Sequence, residues 1–266
     1  MINIAINVLV LGLIYLIVFF KRENSISLTL SGITAFVIAG LFTSFLGRSS
    51  VFAGIRRIGS SRAAAIKNSS PIFTILFALL FLKESITWLN ALGILFILTG
   101  LWLTGYEQWR KNGFSIKGQI WIGMAFAVLA AFSFGTGFAI RKMGMEQVPD
   151  PFLGALIGAI VALKAYCIFL AAKRRLLLTV KLQFQQFNLY YLLAGFATCL
   201  GSLTFFISAY FTQVSYTATL TAIEPVLTLL LSYIFLKEQE KIQLMVIISA
   251  VFIFLGIMIL TISSLL

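Results

Sequence analysis

The sequence predicts an all-α, polytopic membrane helix bundle, and three observations carry that prediction. The first is composition: 61% of the 266 residues are hydrophobic and 11% are charged. Soluble domains average about 45–50% apolar and about 25% charged residues, and a soluble fold tolerates no surface as apolar as this chain would expose. The second is that the apolar residues fall into nine runs, each near the roughly 20 residues that a spanning helix needs. The third is an internal repeat that lays one half of the chain over the other.

Taken in order, the runs are 2–20, 29–55, 60–82, 86–106, 118–140, 151–172, 189–211, 214–236 and 243–264. The first could be mistaken for a secretory signal. It lacks a basic leading segment and a small-residue cleavage site, and further spans follow at once, so it reads as mature structure. Short polar breaks such as Lys21-Arg22-Glu23-Asn24, and the longer one from Lys173 to Asn188, separate the runs. No segment is long or polar enough for a soluble domain.

Composition also removes whole classes of chemistry. The chain has no His, so His-based zinc motifs, Ser–His or Cys–His nucleophiles and His proton relays are excluded. Cys167 and Cys199 have no ligand spacing and cannot form a disulfide framework. No Gly-rich phosphate cradle or nucleotide motif is present. No catalytic residue, metal site or cofactor is therefore read from the sequence. The net charge of +12 would suggest nucleic acid in a soluble protein. Here the bases punctuate apolar runs, which points to membrane lipids with anionic head groups and not to nucleic acid.

The repeat appears at an offset of 154. Pro71-Ile-Phe-Thr-Ile-Leu-Phe-Ala-Leu-Leu-Phe-Leu-Lys-Glu84 lies over Pro225-Val-Leu-Thr-Leu-Leu-Leu-Ser-Tyr-Ile-Phe-Leu-Lys-Glu238, and Leu46-Gly47 over Leu200-Gly201. Aliphatic identities count for little between apolar helices; the co-registered Pro, Thr and Lys-Glu make the match specific. The offset crosses five runs, an odd number, so the two copies are inverted relative to each other. This gives a first repeat at 1–106, a linker at 107–117 and a second repeat at 118–266. The second holds five helices and the first only four, because residue 118 maps to a point before Met1. The repeat thus predicts a missing first helix, through a reading frame started too late or a degenerate copy.

Pro71 with Phe81-Leu82-Lys83-Glu84, and Glu224-Pro225 with Phe235-Leu236-Lys237-Glu238, resemble the repeat signature of the EamA family, part of the drug/metabolite transporter superfamily. The resemblance covers nearly the whole chain. It implies ten helices in two inverted five-helix repeats around a central cavity, a bacterial plasma (inner) membrane location, and movement of amino acids, other metabolites or drugs without ATP hydrolysis. The present sequence departs from it in lacking the first helix.

Orientation is left open by two opposed arguments. Lys21, Arg22, Lys83, Arg141 and Lys142 are read as loop bases on one side. Arg56, Arg57, Arg62, Arg110, Lys111, Lys117, Lys173, Arg174, Arg175, Lys181, Lys237 and Lys241 are read on the other. The positive-inside rule places the larger set in the cytoplasm and Leu266 outside. The resemblance implies the reverse, with both termini inside.

Three bases, Arg48, Lys67 and Lys164, fall inside spans, and Glu224 is the one acid that does. A charge at a helix centre costs about 2.5–3.5 kcal/mol, so each is a functional candidate. Arg48 and Lys164 either snorkel toward an interface or line a cavity. Ser60, Lys67, Ser70 and Thr74 recur at spacings of three, four or seven, one helical face. The offset carries that face onto Val214, Thr221, Glu224 and Thr228, joined by Thr217 and Ser232, while Ser44 and Arg48 map onto Thr198 and Ser202. The substrate-binding candidates are Arg48, Lys67, Ser70, Thr74, Ser202, Thr221, Glu224 and Thr228. The hydroxyls among them have a structural alternative, bonding back to their own helix. Pro71 and Pro225 each remove a donor and clash with the preceding turn, so a kink is expected at both, as a static bend or a hinge. The Lys-Glu pairs 83–84 and 237–238 read as solvated helix-end charges, and Trp88, Trp102, Trp109 and Trp121 as interfacial anchors.

These residues point to a secondary transporter for a small polar or amphipathic metabolite, working by alternating access, with no enzymatic step. Arg48 and Lys67 favour a carboxylate or phosphate on the substrate. Glu224, the acid set inside an apolar run, is the candidate for proton coupling. Two alternatives stand: a multidrug or cationic-metabolite exporter using Glu224, and an inactive scaffold or assembly partner. A homodimer is compatible with any of them.

Overall fold

The outward and inward faces of the first helix already show what solvent this protein is built for. In α1 (Ile2–Lys21), Ile4, Asn7 and Leu11 are buried, while Leu9, Leu13, Leu16 and Phe20 form an exposed stripe. A stripe of leucines turned outward is stable only against lipid. The same holds for the other long helices, and the protein is an integral membrane helix bundle. The computed structural model describes residues 2–21, 28–84, 86–111, 119–185, 188–221, 224, 227 and 244–263. Among these residues there is no strand.

After α1 come α2 (Leu30–Gly40), a π-helical stretch (Leu41–Gly47) and α3 (Arg48–Ile58), continuous over Leu30–Ile58. Then follow α4 (Ser60–Lys67), α5 (Ser70–Phe77) with a π-helical end (Ala78–Leu82), and α6 (Trp88–Lys111). The second half has α7 (Gln119–Gln147), α8 (Pro151–Ala172), α9 (Leu176–Gln185), α10 (Leu189–Phe211), α11 (Val214–Thr221) and α12 (Leu244–Ser263). Five of the spans, Ile2–Lys21, Leu30–Ile58, Ile120–Gln147, Pro151–Ala172 and Leu189–Phe211, are long and apolar enough to cross a bilayer as unbroken helices.

Three expectations need correction. The run 60–82 is not one helix: Asn68 and Ser69 form a turn between α4 and α5, so Ser60 and Lys67 share no helical face with Ser70 and Thr74. Pro71 explains the break, because its ring clashes with the carbonyl four residues back and it donates no hydrogen bond. The helix expected to end at 140 continues to Gln147, so Arg141 and Lys142 are helical and not loop residues. The Lys173–Asn188 break contains α9.

Two short helices begin 154 residues apart, α4 at Ser60 and α11 at Val214. Each follows an interruption: Gly59 at φ +83°, a left-handed value that favours glycine, and the extended Thr212 with the non-helical Gln213.

The chain folds into two compact units, and each draws on both repeats. The first comprises Met1–Leu46 and Thr136–Thr212. Its core is Leu11, Phe36, Met145, Val148, Ala155, Ala159, Cys199, Leu203 and Phe206, with the Phe36 and Phe206 rings edge to face at 6.1 Å. The second comprises Gly47–Gly135 and Gln213–Leu266. There α6 packs along α12 through Ile94, Ile97, Leu101, Ile253 and Leu260. A smaller cluster of Ile58, Ala63 and Ala127 joins α3, α4 and α7.

The first unit depends on one backbone approach. A Cβ on Gly40 would lie 2.7 Å from the Gly158 Cα, whereas a Cβ on Gly158 would meet the Gly40 Cα at an ordinary 3.7 Å. Gly40→Ala should therefore cost about 1–3 kcal/mol by overpacking and lower the melting temperature in detergent. Gly158→Ala should leave it near the native value. Equal melting shifts for the two variants would contradict this packing.

Candidate functional site

Inside a bilayer, every break in a helix leaves donors and acceptors that water cannot satisfy, and several polar side chains of this protein sit at such breaks. Ser69 Oγ donates to the Ile66 carbonyl at 2.7 Å, closing the α4–α5 turn. Glu84 accepts from the Val214 amide at 2.7 Å, the Ser215 amide at 3.3 Å and the Ser215 hydroxyl at 2.6 Å. It is the N-terminal cap of α11, not a solvated helix-end charge. Lys142 Nζ donates to the Ala209 and Thr212 carbonyls at 2.8 and 3.0 Å, closing the end of α10. Asp150, fully buried, accepts from the Phe152 and Leu153 amides and caps α8.

Arg141 and Lys67, one in each unit, have different surroundings. In the first unit Arg141 is 6% exposed and donates to Thr43 Oγ1 at 2.6 Å. Its guanidinium lies 4.7 to 5.6 Å from the ring centroids of Phe138, Phe205 and Phe206. Thr43 stands in the π-helical stretch and also donates to the Ala39 carbonyl at 2.8 Å. Arg141 is thus clamped among aromatic faces, with little of it left to meet a ligand.

In the second unit Lys67 and Glu224 form an ion pair. Lys67 Nζ lies 2.8 Å from Glu224 Oε2, and 5.8 Å from the centroid of the Phe134 ring. Lys67 is the last residue of α4, where the negative end of the helix dipole favours a cation; Glu224 is itself helical. The Lys67 side chain is 23% exposed and that of Glu224 is 63% exposed. The base and the acid stand 157 residues apart in the chain. An ammonium has three donors, and Glu224 takes one.

The other candidates are distributed as follows. Arg48 is half-buried at the start of α3, directly after the π-helical stretch. Ser70 and Pro71 are buried in the first turn of α5. Thr74 is fully buried and donates to the Ser70 and Gly135 carbonyls at 3.3 and 3.2 Å, where α5 meets α7. Thr221 bonds back to the Ala218 carbonyl at 2.7 Å. Ser202 is half-buried on α10 in the first unit, and Lys164 is exposed on α8. Pro225 and Thr228 lie outside the described residues. The side chains of Lys67 and Glu224 are joined directly.

Glu84 and Arg141 were not read as functional from the sequence, yet both had signals. Lys83-Glu84 recurs in register at Lys237-Glu238, and a doubled charged pair suggests a structural task. After Ile140 no helix stop occurs before Val148-Pro149, so Arg141 belonged to the helix.

Fold and site together define a polytopic membrane helix bundle with a charged pair joining two of its helical segments. The model of the EamA-like transporter family matches residues 1–106 and 121–262, and the chain belongs to that family. It is similar to the uncharacterized transporter YcbK of Bacillus subtilis (strain 168), at 35% identity over 69 residues, 25% of this chain and 22% of that relative's length. A solved crystal structure aligns with a TM-score of 0.71 and 16% identity, over 98% of this chain and 88% of the other, which speaks for the fold alone.

The Glu84 cap can be tested without a substrate. Glu84→Ala strips the α11 N-terminus of a charged acceptor and should cost about 1–2 kcal/mol, measured as a lower melting temperature in detergent. Glu146→Ala, an exposed acid at the end of α7, is the control. A native melting temperature for Glu84→Ala would show that the cap contributes nothing.

Proposed function

We propose that this protein is a secondary transporter of the bacterial plasma (inner) membrane that moves a small polar or amphipathic metabolite by alternating access, and that the Lys67–Glu224 pair is its site. The observation that carries the reading is the 2.8 Å contact between a base of one repeat and an acid of the other, both set in otherwise apolar runs. Rocking of inverted repeats would separate or join two such groups. Partly exposed ion pairs contribute only about 0.2–1 kcal/mol, so this one opens at small cost and a substrate group can replace either partner.

A carboxylate or phosphate would take the place of Glu224 at Lys67 through charge-assisted hydrogen bonds, with Arg48 a second base for the same cargo. Protonating Glu224 would remove its attraction for Lys67, which offers a direct route from a proton gradient to opening of the pair. The break at Asn68-Ser69, forced by Pro71, supplies a flexing point beside it. A second reading is favoured by one feature: Glu224 is far more exposed than Lys67. An organic cation would then bind the acid, and the protein would export cationic metabolites or drugs.

Uptake and counterflow in proteoliposomes, with panels of small carboxylates, phosphates and organic cations, separate the two. For an anionic substrate, Lys67→Gln and Arg48→Gln should each weaken apparent affinity about tenfold or more, the scale of a lost hydrogen bond to a charged group. Glu224→Gln should retain exchange but lose gradient-driven accumulation. For a cationic substrate, Glu224→Gln alone should abolish binding. Unchanged affinity in all three variants would defeat both readings.

A further inference from the structure

We infer that α9 and the basic turn before it form a docking site for acidic phospholipid, lying along the membrane interface. The helix Leu176–Gln185 has ten residues and rises about 15 Å, half the roughly 30 Å hydrocarbon core, so it cannot span. Yet it connects two helices that do, Pro151–Ala172 and Leu189–Phe211, which keeps it at the bilayer surface. Its exposed side carries three leucines, Leu177 at 84% exposed, Leu178 at 57% and Leu182 at 46%, with Lys181 and Gln185 among them. The opposite side is held by the protein, where Gln183 Oε1 accepts from the Ile2 amide at 3.1 Å. Three exposed leucines on a helix fixed from behind have a natural partner in acyl chains.

Charge selects which lipid. Lys173, Arg174, Arg175 and Lys181 are all exposed, and the chain carries no acidic residue between Asp150 and Glu224. The bases stand on an ordered turn: the Arg174 and Arg175 amides donate to the Ala171 and Leu170 carbonyls at 2.8 and 2.9 Å. Arg174 adopts a left-handed φ of +52°, and Lys173 lies 4.4 Å over the Phe169 ring. Three consecutive exposed bases on an ordered turn, with Lys181 and three exposed leucines on the helix that follows, match a phosphodiester above its acyl chains.

The test uses the full chain in vesicles of phosphatidylglycerol and phosphatidylcholine, with Leu177→benzoylphenylalanine as a local photocrosslinker and mass spectrometry of the adducts. The expected adducts are phospholipids, with phosphatidylglycerol enriched over its share of the bilayer. In Lys173→Gln/Arg174→Gln/Arg175→Gln/Lys181→Gln the enrichment should fall to the bulk ratio, each lost base weakening it up to about fivefold; raised salt should act in the same direction. If the fourfold variant does not insert, Arg174→Gln with Arg175→Gln should show a partial loss. Absence of lipid adducts, adducts at the bulk ratio in the unmodified chain, or enrichment that survives the charge removal would each overturn the inference.

Discussion

A bilayer offers no water to a broken helix, and the rest of this structure follows from that constraint. The chain leaves the helical path at Thr29, Gly59, Asn68-Ser69, Lys83, Val148–Asp150 and Thr212-Gln213. At most of these points a specific side chain supplies the missing partner. Thr29 receives the Gly32 amide, Ser69 bonds the Ile66 carbonyl, Glu84 and Asp150 cap the helices that follow, and Lys142 closes the end of α10. Polar residues are scarce here, and these are spent on backbone.

That allocation gives the Lys67–Glu224 pair its meaning. Neither group serves as a cap in the described contacts. They meet each other across the repeat relationship, beside the break that Pro71 imposes. Arg141 is enclosed by three phenylalanines and Thr43 within its own unit. That buried base is built in permanently, while Lys67, 23% exposed, meets an exposed carboxylate. The second arrangement suits a group that must change partners during a cycle.

The helical class and most of the spans were legible because they rest on long-range features of the sequence: apolar run length and charge scarcity. The spans 151–172 and 189–211 agree with α8 and α10 residue for residue. What was not legible depends on local competition. The break after Lys67 required knowing whether Pro71 would bend its helix or end it, and the polar periodicity of 60–82 disguised two helices as one. Arg141 and Lys142 looked like loop charges because charge was read as a boundary, when Phe138, Phe205 and Phe206 could shelter the guanidinium. Glu84 looked solvated because its partner, the α11 N-terminus, lies 130 residues further along the chain. The separation of Lys67 and Glu224 is of the same kind, a tertiary distance that no periodicity encodes.

Exchanging the two charges addresses the central claim most directly. In Lys67→Glu/Glu224→Lys the pair is restored with reversed polarity, whereas each single reversal sets two like charges together. Melting temperature in detergent, measured on the two single variants and the double, reports whether they interact. The account predicts that both singles are destabilised and that the double recovers most of the loss. A double variant no more stable than the worse single would contradict the pairing, and with it the site proposed here.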